Sequence, residues 1–147
     1  APAPSQIRAE AWMAIISGAT ALGYRGFEGF ASIALDPAVE AELKRLNGQI
    51  TRLSRDILAP ASSKSVRMAM TGGAACHWKA TERDGVLTVF CQSLDEKKEA
   101  GAEIAVPGLK PGAPVEVVDE NRTLPAQDGR FSDTFAPLAE HIYRIRL

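Results

Sequence analysis

The sequence predicts an α+β chain in two parts: a helix–strand–helix unit over residues 1–59, then an antiparallel β-sandwich of about seven to eight strands over residues 60–147. Three observations carry this reading. Before Pro60, apolar residues recur at helical spacing on either side of a short stretch rich in Gly and aromatics. After Pro60, turn-forming residues return every eight to twelve positions, the rhythm of short strands in a sandwich or barrel. The helix–strand–helix order is that of the unit that tiles a β/α barrel, and one unit cannot close a barrel of eight. The chain therefore reads as the end of a larger protein, with most strand-end residues of such a barrel lying elsewhere.

The first helix is expected over Gln6–Leu22 with Ser5 as its cap. Ile7, Ala11, Trp12, Ile15, Ile16, Ala19 and Leu22 cover more than one stripe, which implies burial on several sides. Residues 21–30 (ALGYRGFEGF) are too short for another helix and read as a buried strand with close backbone approach. Asp36 and Pro37 then supply a cap and a first helical residue for a helix running to about Leu58. Its apolar positions Val39, Leu43, Leu46, Ile50, Leu53 and Ile57 form one narrow seam, with Glu40, Glu42, Lys44, Arg45, Arg52 and Arg55 outside it. This pattern describes a helix packed on a sheet in preference to a short coiled-coil seam.

A short linker, Pro60–Lys64, leads into the sandwich. Strands are expected at Val66–Thr71, Ala75–Thr81, Val86–Ser93, Ala102–Val106, Val115–Asp119, Arg130–Thr134 and His141–Leu147, with turns between them that include Gly72-Gly73, Asp84-Gly85, Gly101, Pro107-Gly108, Pro111-Gly112 and Asp128-Gly129. In the last strand Tyr143, Ile145 and Leu147 alternate with Ile142, Arg144 and Arg146 and are expected to face the core.

Composition narrows the function classes. A hydrophobic content of 46% over 147 residues suffices for the cores of two small units. The net charge of −1, with its cations scattered, offers no basic stripe for a nucleic acid. No apolar run approaches the roughly 20 residues that span a bilayer, so no membrane partner is expected. The start lacks the basic and apolar regions of a signal peptide. The chain reads as soluble with any export signal already removed, a secreted or periplasmic setting being favoured. No cofactor is implied.

Two cysteines allow a register argument. A two-residue Asp84-Gly85 turn makes opposed residues sum to 169, so that Cys76 faces Ser93 and Cys91 lies diagonal to it. A four-residue loop over residues 82–85 sets Cys76 opposite Cys91, where a disulfide can form. Both alternatives, the Cys76–Cys91 bond and two buried thiols, stand open on the sequence.

Other residues carry chemistry-bearing side chains in unhelpful spacing. Cys76, His77, Cys91 and His141 are metal-ligand types without a C-x-x-C or H-x-x-x-H arrangement, so no metal site is assigned. Glu28 and Asp36 follow the expected barrel strand, where catalytic groups collect, although turn and solvent roles are the commoner fate of such carboxylates. His141 has no serine in a G-x-S-x-G setting, which leaves a hydrolase triad without support. Asn121-Arg122-Thr123 is a glycosylation sequon, relevant only in a eukaryotic secretory pathway.

Two stretches, taken together, resemble a known family. Residues 7–24 (IRAEAWMAIISGATALGY), with Arg8, Trp12, Gly18-Ala19 and Gly23-Tyr24, are similar to the last helix and eighth strand of β/α-barrel glycoside hydrolases of the retaining, two-glutamate kind. Residues 115–122 (VEVVDENR) and 129–145 (GRFSDTFAPLAEHIYRI) resemble the β-sandwich that follows such barrels and closes on F-x-D-x-F-x-P-x-x-x-H-x-Y-R. The resemblance spans nearly the whole chain and marks architecture more than substrate.

Its implications are specific. The acid/base and nucleophile glutamates of those enzymes end the fourth and seventh barrel strands, upstream of this chain, so no catalytic residue carries over. An aromatic on the eighth strand often floors a sugar subsite in that family, a role open to Tyr24 or Phe27, although packing of the barrel interior is the commoner fate of such residues. Phe131 and Phe135 are expected to anchor the final turn, Asp133 to accept backbone hydrogen bonds, and Tyr143 to fill the core. Trp12, Ile15, Ile16, Phe27 and Phe30 are expected to form an apolar surface covered by the rest of the barrel or by a homo-oligomer. The competing class is an independent binding module holding a polysaccharide or protein, for which Trp78 is the residue to test.

Overall fold

The computed structural model describes residues 2–24 and 36–147. The chain divides into two compact units, Ala1–Leu58 and Ala59–Leu147. The first holds α1 (Pro4–Ile16) and α2 (Pro37–Ile57); the second holds β1 (Arg67–Met70), a 3-10 turn (Thr71–Gly73), β2 (Cys76–Arg83), β3 (Val86–Ser93), β4 (Ala100–Ala105), β5 (Pro114–Val117), β6 (Arg122–Pro125), β7 (Arg130–Phe135) and β8 (Glu140–Arg146). The architecture is α+β, with the eight strands in two antiparallel sheets.

Helix α1 starts two residues before its expected start and ends six before its expected end. Pro4 occupies the first turn, where no N–H is missed, and the Gln6 side chain accepts from the Ala3 N–H at 2.8 Å, so Ser5 lies inside the helix and does not cap it. Gly18, at φ +107, turns the chain out of the helix, and its N–H donates to the Ile15 carbonyl at 3.0 Å. Residues 21–24 have no regular secondary structure, and the rest of the expected strand lies outside the described residues. Trp12, Ile15 and Ile16, expected to face a partner, are buried within the chain, where α1 packs on α2. Phe27 and Phe30 lie outside the described residues.

Helix α2 follows the sequence closely. The Asp36 carboxylate accepts from the N–H groups of Ala38 at 2.9 Å and Val39 at 3.3 Å, and Pro37 is the first helical residue. The buried face is rotated from the expected seam. Val39, Leu46, Leu53 and Ile57 are buried, but so are Glu42, Gln49 and Asp56, while Leu43 and Ile50 are only half-buried. The cause lies partly in α1: Arg8 donates to Glu42 at 3.2 Å and to Gln49 at 2.5 Å, which satisfies the acceptors drawn under the helix.

In the second unit the expected linker is a strap. The Pro60 carbonyl accepts from the Glu82 N–H, the Ser62 N–H donates to the Ala80 carbonyl, both at 3.0 Å, and the Ser62 hydroxyl donates to the Glu82 carboxylate at 3.0 Å. Part of the edge of β2 is thereby closed to foreign strands. The sheets run β1-β4-β7 and β2-β3-β8-β5-β6. Between them lies one core, built from Met68, Leu87, Val89, Ile104, Val115, Val117, Phe131, Phe135, Tyr143 and Ile145 among others. Tyr143 and Ile145 face it as expected; Leu147 does not, because β8 ends at Arg146 and Leu147 is 51% exposed.

The β2–β3 hairpin decides the cysteine register. Asp84 at φ +54 and Gly85 at φ +72 form the two-residue turn whose twist matches that of the strands, and Cys76 pairs with Ser93 while Cys91 pairs with Trp78. Cys76 and Cys91 are accordingly free thiols, not a disulfide. Two strand expectations need correction. β6 was not anticipated, since it has only four residues and ends in Pro125 opposite Pro114, a composition tolerated at the edge of a sheet. Gly101 is no turn: it lies within β4, where its N–H donates to the Thr71 hydroxyl at 3.1 Å and an added Cβ would meet Thr71 Cγ2 at 3.4 Å.

The left-handed backbone at Gly85, with no atom within 4 Å of an added Cβ, makes strain the sole cost of a side chain there. Gly85→Ala is expected to lower stability by about 1 kcal/mol in urea unfolding with an unchanged m-value, whereas Asp84→Asn, which keeps a residue tolerant of φ > 0, is expected to be near neutral.

Candidate functional site

The described residues singled out from the sequence are each engaged within their own unit. Tyr24 is 40% exposed and donates its hydroxyl to Asn47 Oδ1 at 2.9 Å. Phe27 and Glu28 lie outside the described residues, and Asp36 is spent on capping α2. In the other unit, Trp78 is 37% exposed on the outermost strand β2, with its indole N–H donating to the Val66 carbonyl at 3.1 Å. Its ring borders the sandwich edge without a second exposed aromatic on that strand.

The thiols are held neutral. Burial pushes the fully buried Cys91 well above the ordinary thiol range, and burial raises the half-buried Cys76 too. Neither is a thiolate ready to attack or to ligate. Among the described residues no group of three or more His, Cys, Asp or Glu side chains is placed to hold a metal ion.

The strongest polar constellation is one that single-residue motifs do not reveal. Alternation turns Phe131, Asp133 and Phe135 of β7 toward the opposite sheet, and turns His141, Tyr143 and Ile145 of β8 to meet them. Arg122, the first residue of β6, grips Asp133 with two parallel bonds of 2.9 and 2.7 Å, and the Tyr143 hydroxyl donates to Asp133 Oδ2 at 2.8 Å. Arg122 also donates through Nε to Glu120 at 2.8 Å, and the Glu120 carboxylate hydrogen-bonds His141 Nδ1. His141 Nε2 faces the Thr134 carbonyl at 3.1 Å. Two edge-to-face ring pairs flank the cluster, Phe131 with Tyr143 at 4.8 Å and Phe135 with His141 at 4.6 Å.

Electrostatics follow from this geometry. Burial pushes the Asp133 carboxyl up, but hydrogen bonds from Arg122, the Thr134 N–H and Tyr143 outweigh it and hold the group below the usual carboxylate range. Burial, with Cys91 and Asp133 adding, pushes the Tyr143 phenol well above its ordinary value, and hydrogen bonding to Asp133 raises Arg122 further. Asp133 is an ionised acceptor with its lone pairs taken, beside a phenol and a guanidinium that keep their protons. Such a site ties the two sheets together. The expectation that Asp133 accepts backbone hydrogen bonds holds for the Thr134 N–H at 2.8 Å, and the side-chain donors are the larger part. Glu120, Arg122 and His141 were not assigned this role from the sequence. The available signal was an Asp in strict alternation between two core Phe residues, which demands an inward-facing cation.

Because the folded Asp133 lies below its unfolded value, its contribution is present above about pH 4 and is lost as pH falls through the folded value. Denaturant unfolding is expected to show that acid loss in the parent chain and a smaller one in Asp133→Asn. At neutral pH, Asp133→Ala is expected to cost about 3 kcal/mol, since it strands Arg122 and the Tyr143 hydroxyl, and Tyr143→Phe about 1.5 kcal/mol.

No family model matches the sequence, and no curated protein matches it either. Solved structures share its fold. A Glu-to-Gln variant of AmyP, in complex with maltotriose, matches over 97% of this chain with a TM-score of 0.60 and 12% identity. An Anoxybacillus α-amylase, presented as giving insights into a new glycosyl hydrolase subclass, matches over 75% with a TM-score of 0.50 and 10% identity. The chain spans 35% of the first structure and 23% of the second. Its two helices and two-sheet sandwich thus have the fold of one portion of these glycoside hydrolase structures.

Proposed function

We propose that this chain is the C-terminal part of a carbohydrate-active glycoside hydrolase, with residues 1–59 as the last helix–strand–helix unit of its barrel and residues 60–147 as a sandwich that braces that barrel. One observation carries the reading: almost the whole chain matches AmyP, while it spans only about a third of AmyP. The rest of the barrel is the partner this reading requires. The polar cluster around Asp133 supports a bracing role, because its groups are consumed by one another. Hydrolysis itself is assigned to glutamates outside these 147 residues, as the family resemblance implies. AmyP holds maltotriose, which makes short α-glucans the first substrates to try.

The binding-module alternative needs a platform of exposed aromatics, and Trp78, engaged with Val66, stands without one on its strand. Under the bracing reading, the isolated chain releases no reducing sugar from maltotriose or starch, and Trp78→Ala leaves its retention on insoluble starch unchanged. Hydrolysis by the isolated chain would overturn the noncatalytic assignment. A clear loss of starch retention in the Trp78 variant would instead favour the binding module.

A further inference from the structure

Strand β7 is the last of its sheet: among the described strands it pairs with β4 alone. In an antiparallel ladder alternate residues turn both N–H and C=O toward the partner, and the residues between them turn both away. Arg130 fixes the phase. Its N–H and C=O bond to Gln127 at 2.9 and 2.8 Å, whereas the Gly129 carbonyl accepts from the Val106 N–H, just past the end of β4, at 2.7 Å. Phe131, Asp133 and Phe135 therefore turn their backbone groups to β4. Arg130, Ser132 and Thr134 turn theirs outward, a row of donors and acceptors on which a further strand can assemble.

The chain itself closes this row from both ends. Gln127 takes both groups of Arg130 across the two-residue turn at Asp128-Gly129. The Thr134 N–H donates to Asp133 Oδ1 at 2.8 Å, and the Thr134 carbonyl accepts from His141 Nε2 at 3.1 Å. Among the described residues, nothing bonds to the outward groups of Ser132, which is exposed.

Geometry says what the two side chains exclude. A second copy can lie antiparallel on this edge about a two-fold axis at Asp133, so that Ser132 of each copy faces Thr134 of the other. That register needs only the groups Gln127 leaves, and it makes four bonds: each Ser132 N–H to a Thr134 carbonyl, and each Thr134 N–H to a Ser132 carbonyl. Every one of the four requires a Thr134 group, and Asp133 and His141 hold both of those groups. The side chains that would meet are exposed hydroxyls without charge, so repulsion does not keep the copies apart.

We propose that Asp133 and His141, besides tying the sheets, guard the β7 edge against pairing with β7 of a second copy of this chain.

Sedimentation velocity of the unaltered chain and of His141→Ala, which releases the Thr134 carbonyl, tests the proposal. His141→Ala is expected to gain mass over the unaltered chain, toward a doubling, as concentration is raised. Ser132→Pro sits where the N–H points away from β4, so it costs no ladder bond and removes the donor that the released carbonyl needs. The His141→Ala/Ser132→Pro double variant is accordingly expected to return to the mass of the unaltered chain. A His141→Ala chain that gains no mass would overturn the proposal, and so would a gain that survives Ser132→Pro. If His141→Ala does not fold, His141→Phe, which keeps a ring against Phe135 and brings no donor, is read in its place. Hydrogen exchange of the unaltered chain gives an independent reading: the Thr134 amide is expected to exchange more slowly than the Ser132 amide, and equal rates would overturn the guard at Asp133.

Discussion

Asp133 sits where the alternation of β7 calls for an apolar residue, between Phe131 and Phe135, and the two sheets close there only because the opposite sheet brings donors to it. A lone carboxylate in that position would cost several kcal/mol of lost hydration. Arg122 and Tyr143, from β6 and β8, offset that cost with charge-assisted bonds of fixed direction. The apolar core around Leu87, Val89, Ile104 and Ile145 supplies most of the driving force, but such contacts tolerate small slides of one sheet over the other. A bidentate guanidinium–carboxylate pair does not, so the tie defines how the sheets face each other.

The same demand for partners shapes the helical unit. Helix α2 buries Glu42, Gln49 and Asp56 along with Leu46 and Leu53, and Arg8 reaches across from α1 to two of the three polar residues. In each unit an arginine answers a carboxylate that leaves water, Arg8 for Glu42 and Arg122 for Asp133, and its planar fork retains its charge when partly buried. The chain has the fold of one portion of glycoside hydrolase structures.

Much of the architecture was legible where the signal is local. Asp36-Pro37 and a four-three spacing of apolar residues mark α2 within a residue or two. Alternation marks β8, and Asp84-Gly85 allows a two-residue turn whose register was one of two alternatives. Signals failed where a neighbour in space overrides them. Gly18 ends α1 although apolar spacing continues past it, and Gly101 reads as a turn when it is a place of close approach to Thr71. Glu42 reads as solvent-facing until Arg8 is placed beside it.

By itself the sequence determined the two helices and seven of the eight described strands in order, the cap of α2 and the inward face of β8 at Tyr143 and Ile145, because each depends on period, turn chemistry or a residue a few positions away. Only the tertiary structure decided that Arg122, Asp133, His141 and Tyr143 form one cluster with Glu120. Those residues come from three strands and a turn, divided between two sheets, and no periodicity within a strand records which side chain the facing sheet will present. The choice between a disulfide and two thiols was settled likewise, by a turn of two residues where four were equally writable.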